Sequence, residues 1–246
     1  MSLNVVILAA GQGKRMHSAL PKVLHLLAGR PLLGHVLTTA RALHPSRICI
    51  VHGHGGEQVV STLRADDIVF VKQEPQLGTG HAVQQALPHL DSRLDTLVLY
   101  GDVPLIAPAT LVALTSGKSG TLKILTAELD EPRGYGRIVR NSQRAIRAIV
   151  EEKDASARER RIREINTGIM LLPAKRLASW LSKLSNRNAQ GEYYLTDVVA
   201  MAVKDRVKID SCAPGDNHEI LGVNSKVQLA QLERIYQVRN AARLLE

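Results

Sequence analysis

Aromatic side chains are nearly missing from this chain: they make up 3% of its 246 residues, with a single tryptophan, Trp180, and a single phenylalanine, Phe70. The core must therefore be built from Leu, Ile, Val and Ala, and recognition of nucleic acid by stacking bases on aromatic platforms lacks its parts. Cysteine is equally scarce. Cys49 and Cys212 stand in separate apolar stretches with no C-x-x-C pair, which points to buried free thiols in a reducing compartment. No apolar run approaches the roughly 20 residues needed to cross a bilayer. The N-terminus enters a strand directly, without the basic, apolar and small-residue blocks of a secretory signal. These absences predict a cytoplasmic protein with no membrane partner.

What is present is an ordinary globular composition, 45% hydrophobic, with 32 Lys and Arg against 23 Asp and Glu for a net charge of +9. The length allows one large domain or two small ones. The basic excess favours an anionic partner: nucleic acid, acidic lipid or a phosphorylated small molecule. The charge is scattered, however, and the stretch from Glu151 to Glu164, E-E-K-D-A-S-A-R-E-R-R-I-R-E, mixes both signs as a solvated surface segment does.

Short apolar runs alternate with segments of helical period. Asn4 to Ala9, Arg47 to His52, Ile68 to Lys72 and Thr96 to Tyr100 read as buried strands. Between them Pro31 to Leu43, Gly56 to Leu63 and Thr79 to Leu87 read as helices, with Pro31 suited to a first helical turn. This alternation predicts an α/β fold, a Rossmann-like, mostly parallel sheet flanked by helices. Beyond Gly117 the rhythm changes. Thr121 to Glu128, Gly136 to Arg140, Ala145 to Glu151 and Ile165 to Leu172 read as further strands, and Ala174 to Leu184 and Leu195 to Val203 as helices. This half should extend the sheet and place a lobe over its C-terminal edge, where open α/β sheets bind ligands. Ser225 to Glu246 has no Gly or Pro and the apolar spacing of one long amphipathic helix.

The strand at Val5 runs straight into a glycine-rich loop, V-V-I-L-A-A-G-Q-G-K-R-M. A dinucleotide site needs a third small residue and an acid about 20 positions on; Met16 and Leu32-Leu33 stand there instead. No G-x-x-x-x-G-K-[ST] string exists either, so a P-loop is excluded. What remains is a small-residue loop, Ala9, Ala10 and Gly11, whose amides can hold phosphate oxygens, with three cations, Lys14, Arg15 and Lys22, around it.

The form L-A-A-G-x-G-x-R-M…P-K resembles the signature of the sugar-phosphate nucleotidylyltransferases. Further stretches narrow the resemblance: Q-E-P-Q-L-G-T-G-H-A from Gln73, L-Y-G-D-V-P-L from Leu99, G-Y-G-R-I-V-R from Gly134, I-V-E-E-K-D-A from Ile149, E-I-N-T-G-I from Glu164, N-A-Q-G-E-Y-Y-L-T-D from Asn188 and L-G-V-N-S from Leu221. Together, and in this order, they resemble the bifunctional N-acetylglucosamine-1-phosphate uridylyltransferases along nearly the whole chain.

The resemblance implies a fold of the nucleotide-diphospho-sugar transferase type, with residues 1–224 as the transferase domain and 225–246 as a linker helix. It implies UTP and N-acetylglucosamine 1-phosphate as substrates, Mg2+ as cofactor, and UDP-N-acetylglucosamine for cell-wall precursor and lipopolysaccharide synthesis as product. It assigns Arg15, Lys22 and Asp102 to catalysis and Asp102 with Asn224 to the metal. It assigns Gln73 and the backbone at Ala10, Gly11 and Gly78 to the uracil, with Leu8, Ala9, Thr79, Tyr100 and Gly101 as further substrate contacts. Gly136, Glu151, Asn166 and Thr167 fall to the sugar. Taken alone, Asp102 reads equally as a helix cap, Asn224 as a cap for the last helix, Thr79 as a cap and Gln73 as a polar loop residue. The family's second activity, acetyl transfer, belongs to a hexapeptide-repeat β-helix, and this chain has no such repeats; uridylyl transfer without acetyl transfer is the expectation. The trimer that uses that domain is expected of the full-length parent, with this chain monomeric and binding no nucleic acid. Two alternatives stay open: a nucleotidylyltransferase of other base or sugar specificity, and a non-enzymatic nucleic-acid binder.

Overall fold

A computed structural model describes residues 2–245 of the chain. Strand β1 (Asn4–Ala9) is buried at all six positions, as a strand covered on both faces must be. It pairs in parallel with β4 (Arg47–His52) on one side and with β6 (Thr96–Tyr100) on the other, and β4 pairs in parallel with β5 (Ile68–Lys72). A two-strand hairpin, β2 (Leu26–Leu27) with β3 (Arg30–Pro31), follows β1 and was not foreseen. Helix α1 (Leu32–Arg41) connects to β4, α2 (Gly56–Leu63) to β5, and α3 (Thr79–Ala86) to β6.

Alternation along β1 divides the core. Val5, Ile7 and Ala9 pack on one face with Leu33, Val36 and Leu37 of α1, whereas Val6 and Leu8 pack on the other with Ala82, Val83 and Ala86 of α3. The chain thus leaves β1 toward β4 over one face and returns to β6, on the opposite side of β1, over the other face. That reversal leaves a crevice outside the C-terminal ends of β1 and β6, the position where open α/β sheets bind ligands.

Beyond β6 the sheet becomes mixed. After α4 (Pro108–Thr115) come β7 (Leu122–Glu128), the hairpin of β8 (Gly136–Arg140) with β9 (Ile146–Val150), and β10 (Glu164–Leu172). β10 runs antiparallel to β6, β7 and β8, so the sheet as a whole is mixed, with its first half all parallel. After α5 (Ala174–Leu181) and α6 (Val198–Lys204), β11 (Ile209–Cys212) closes the far edge beside β7.

Three local expectations are corrected, and two elements, α4 and β11, come in addition. Pro31 has non-helical dihedrals (φ −53°, ψ 141°) and pairs with Leu26, so it precedes α1 instead of forming its first turn. Residues 195–197 form a separate 3-10 turn ahead of α6. α4 and β11 carry too few polar breaks and too short an apolar run, respectively, to stand out in the sequence. Cys212 is half-buried, whereas Cys49 is buried.

The last helix, α7 (Lys226–Leu245), covers the predicted span, whose final residue Glu246 lies outside the described residues. Its buried Leu232 joins Met16, Leu27, Leu32, Leu105 and Val223 in a small third core. The helix is thereby seated on the glycine-rich loop's own hairpin. Among the described residues no helix is long and apolar enough to cross a membrane.

Candidate active site

The glycine-rich loop leaves β1 and turns back at Gly13, in the left-handed region at φ +61°, where a side chain is strained. A Cβ there would also lie 2.8 Å from the Cβ of Lys22, so glycine is what allows Lys22 to come alongside the loop. On the neighbouring strand β6 the chain passes through Gly101 into Asp102. No helix starts there; Val103 N donates to Tyr100 O in a tight turn, so Asp102 is not a cap. The Asp102 carbonyl accepts from Val223 N at 2.9 Å, which draws residues 221–225 beside it.

Asn224 is not a cap either. Gln228 N donates to Ser225 Oγ (3.2 Å), and the Gln228 side chain accepts from Asn224 N (2.8 Å), so Ser225 and Gln228 cap α7 in the manner of a capping box. The Asn224 side chain is left to face the site. Its Oδ1 accepts from Lys22 Nζ at 3.1 Å, and the same ammonium is ion-paired with Asp102 Oδ2. Two oxygens, one from mid-chain and one from near the last helix, thus converge on one positive charge. Oxygen-only donors, one of them anionic, are of the kind that suits a hard divalent cation.

Two adjoining cavities meet at this point. The first, about 530 Å³, is lined by Leu8, Ala9, Ala10, Gly11, Lys22, Gln73, Gly78, Thr79, Tyr100, Asp102 and Asn224, with Gln12, Gln76 and Glu192 besides. The second, about 360 Å³, is lined by Arg15, Tyr100, Asp102, Gly136, Glu151, Asn166, Thr167 and Asn224, with Arg133, Glu192, Tyr194 and Thr196 besides. Asp102, Asn224, Tyr100, Thr79 and Glu192 border both. The residues foreseen for nucleotide line the first cavity, those foreseen for sugar line the second, and the oxygen pair stands between.

Each side has its own scaffold. Gln73, at the end of β5, is buried and donates through Nε2 to Gly78 O at 2.9 Å. Gly78 sits at φ +102°, and a Cβ there would be 2.8 Å from Glu192 Cβ, which keeps the start of α3 tight against residues 192–193. Thr79 accepts from Leu195 N (3.1 Å), so it ties α3 to the 188–197 loop and does not cap its own helix. Glu151 is held above the usual carboxylate range by burial, offset in part by a hydrogen bond from Thr196 (3.0 Å). Burial, then the charges of Glu151 and Asp102, push the Tyr100 phenol up.

Two placements differ from expectation. Gly101 lines neither cavity: it is buried, donates to Leu8 O (2.9 Å), and a Cβ there would crowd Leu33, Val23 and Ala9. Its part is to let the loop turn over the sheet edge. Thr167 lines the second cavity, but its hydroxyl proton is committed to Leu125 O (2.8 Å), and its oxygen accepts from Ile169 N (3.2 Å). Both bonds stabilise the irregularity in β10 that turns Asn166 toward the cavity. Glu192, Thr196, Gln12, Gln76 and Arg133 were not singled out. Glu192 and Thr196 lie inside the N-A-Q-G-E-Y-Y-L-T-D stretch, but nothing in its spacing shows that this loop folds over both cavities.

A sheet reversal, two adjoining cavities with Lys22 on the first and Arg15 on the second, and an oxygen pair between them fit a nucleotidyltransferase. The chain belongs to the MobA-like NTP transferase domain family, whose pattern matches residues 5–189. It is 60% identical over 99% of its length to the bifunctional protein GlmU of Herminiimonas arsenicoxydans and 62% identical over 99% to that of Nitrosospira multiformis. The chain spans about half the length of these relatives, 54% in each. Among solved structures it is similar to a UDP-glucose pyrophosphorylase complexed with UDP-glucose (TM-score 0.77, 17% identity, covering 97% of this chain and 100% of that one). A nucleotidyl transferase from Methanothermobacter gives a TM-score of 0.69 at 17% identity, covering 97% and 99%. At 17% these two speak for the fold alone.

Proposed function

We propose that this chain transfers the uridylyl group of UTP to N-acetylglucosamine 1-phosphate, giving UDP-N-acetylglucosamine and pyrophosphate, a step of cell-wall precursor synthesis. The observation that carries this reading is the pair of cavities sharing Asp102 and Asn224: a two-substrate reaction needs two adjoining pockets with the charge-handling groups at their junction. The high identity to proteins named bifunctional protein GlmU supports it from the side of sequence.

In this reading UTP occupies the first cavity, with its base near Gln73 and its phosphates over Ala10, Gly11 and the Lys22–Asp102 junction. N-acetylglucosamine 1-phosphate occupies the second, its hydroxyl and acetamido groups against Glu151 and Asn166. A non-bridging oxygen of the sugar phosphate attacks the α-phosphorus of UTP. A new P–O bond forms, the bond from the α-phosphorus to the bridging oxygen breaks, and pyrophosphate leaves with that electron pair. The nucleophile is already anionic, so none of the nine histidines is needed as a general base.

The difficulty is bringing two polyanions together. Lys22, at the junction, would offset the negative charge that gathers on the leaving group, and Arg15, which lines the second cavity, would offset the charge of the sugar phosphate as the two polyanions approach. Asp102 and Asn224 would hold Mg2+, which when bound supplies further charge neutralisation across the phosphates. Preorganised donors of this kind typically contribute about 2.7–4 kcal/mol each to transition-state stabilisation. The test is product identification: with UTP, N-acetylglucosamine 1-phosphate and Mg2+, phosphorus NMR should show the paired signals of a diphosphate ester growing with pyrophosphate. Hydrolysis of UTP without that ester would overturn the proposal.

A further inference from the structure

We propose that His81 is a positioning residue that locks the side-chain amide of Gln73 in one orientation and thereby sets the choice of uracil over cytosine. The inference rests on the uridylyltransferase reading and deepens it, since it concerns how the nucleotide cavity selects its base.

The argument starts from groups whose hydrogen-bonding roles are fixed. The Gly78 carbonyl can only accept, and it lies 2.9 Å from one end of the Gln73 amide, so that end must be the NH2. The same nitrogen lies 3.1 Å from Nδ1 of His81. An NH2 group has no lone pair to offer, so Nδ1 must accept, and the proton of the neutral ring resides on Nε2. The atom placed 3.1 Å from Nε2 is the side-chain nitrogen of Gln85; two donors cannot share that contact, so the direction set by Gly78 requires the Gln85 amide to turn over and present its oxygen to Nε2–H. Burial favours the neutral imidazole by lowering the pKa of His81. The sequence of bonds Gln85, His81, Gln73, Gly78 therefore has one consistent direction.

Its consequence falls on the far end of the Gln73 amide. With NH2 committed twice, the group left to a ligand is Oε1, which takes no hydrogen bond from a donor among the described residues, and Gln73 lines the first cavity. An acceptor there matches the ring N3–H of uracil. Cytosine has a lone pair at that atom, so oxygen would face nitrogen with no proton between them. Were the amide reversed, NH2 would match cytosine, but Oε1 would then face the Gly78 oxygen, and the His81 ring would have to carry its proton on Nδ1, with the Gln85 amide turned to match. His81 thus adds the cost of a coupled rearrangement of ring and Gln85 to the repulsion at Gly78. Its ring is also fixed in place by residence on α3 one turn past Gly78 and by Tyr193, whose ring lies 6.4 Å away.

The role is separable from mere structural support. A structural histidine, when lost, lowers the rate with UTP and CTP alike; a histidine that orients Gln73 changes their ratio. The experiment measures kcat/KM with UTP and with CTP for the wild type, His81→Ala and His81→Asn. The asparagine offers an acceptor near the position of Nδ1. The wild type should prefer UTP, His81→Ala should lower the UTP-to-CTP ratio about tenfold or more, and His81→Asn should keep it within about threefold of wild type. An unchanged ratio in His81→Ala, or a fall in the ratio that His81→Asn does not restore, overturns the proposal.

A wild type active with other nucleotides but showing no preference for UTP overturns the uridylyl reading itself, which is a distinct outcome. Nitrogen NMR of the histidines in the unaltered protein, with His81 assigned, gives a measurement that needs no variant to fold. The Nε2–H tautomer is expected for His81, and the Nδ1–H tautomer contradicts the proposal.

Discussion

The ammonium of Lys22 is ion-paired with the carboxylate of Asp102, 80 residues on, while it also donates to the Asn224 amide oxygen at 3.1 Å, 202 residues on. One cation thus draws together the glycine-rich loop, the end of β6 and the start of the last helix. The side chains of Lys22 and Asp102 are only 12% and 15% exposed, so water screens the pair weakly and a change in any member is felt by the others.

Removing the charged members should cost rate. Asp102→Ala and Lys22→Ala are each expected to lower kcat by at least tenfold, with melting transitions that still show a folded protein. Steady-state kinetics at saturating Mg2+ and UTP, beside thermal melts, is the check; near-normal turnover would remove either residue from the catalytic set. The two should part company over metal. Asn224→Ala removes a proposed oxygen ligand and should raise the Mg2+ concentration needed for half-maximal rate severalfold. Lys22→Ala removes a competing cation and should not raise it, as Mg2+ titrations of the two variants can establish.

The sugar side should be sensitive to pH through Glu151. Its carboxyl is held above the ordinary range, chiefly by burial, so it takes up a proton at a higher pH than a free glutamate does. As a carboxylate it accepts from sugar hydroxyls. On acidification the KM for N-acetylglucosamine 1-phosphate should therefore begin to rise above the usual carboxylate range, with the KM for UTP less affected. Glu151→Gln should raise that KM at neutral pH and flatten its dependence on pH.

Gly78 has a conformational duty that a substitution should expose. At φ +102°, with Glu192 and the Tyr193 backbone close by, an added Cβ meets both strain and crowding. Strained non-glycine backbone costs on the order of 1–3 kcal/mol. Gly78→Ala should thus lower the melting temperature and raise the KM for UTP, because the turn that anchors Gln73 would shift. Equal stability and unchanged KM would show that the turn adapts freely.

The scarcity of aromatics makes Trp180 a large share of its core. It is 1% exposed, packs with Leu177, Leu181 and Val198, and donates from Nε1 to Asp205 at 2.9 Å. Truncation of a buried tryptophan typically costs about 3–5 kcal/mol. Chemical denaturation of Trp180→Ala should show a loss of that order, while kcat at a temperature where the variant is folded should change little.

Much of this was legible because it is local. The buried strands β1, β4, β5 and β6 announce themselves as short apolar runs, and the glycine-rich loop with Lys22 lies at the cavity where its small residues and charge pointed. What was not legible depends on distance along the chain. Asn224 looks like a helix cap until Ser225 is seen to take that duty. Asp102 is ambiguous until Val223 N is found on its carbonyl. Thr196 and Glu192 join the site only because Thr79 and the Tyr193 backbone hold the 188–197 loop against α3. Thr167 was read as a ligand contact, yet its hydroxyl serves the strand irregularity beside Asn166, a role visible only once β10 and β7 are paired.

The central claim is uridylyl transfer to N-acetylglucosamine 1-phosphate, and the most direct test is pyrophosphate release measured over four nucleoside triphosphates crossed with several sugar 1-phosphates. The account predicts that UTP with N-acetylglucosamine 1-phosphate gives the highest kcat/KM of the set, dependent on Mg2+ and on Asp102. A higher value for GTP with mannose 1-phosphate, or for any other pairing, would contradict it.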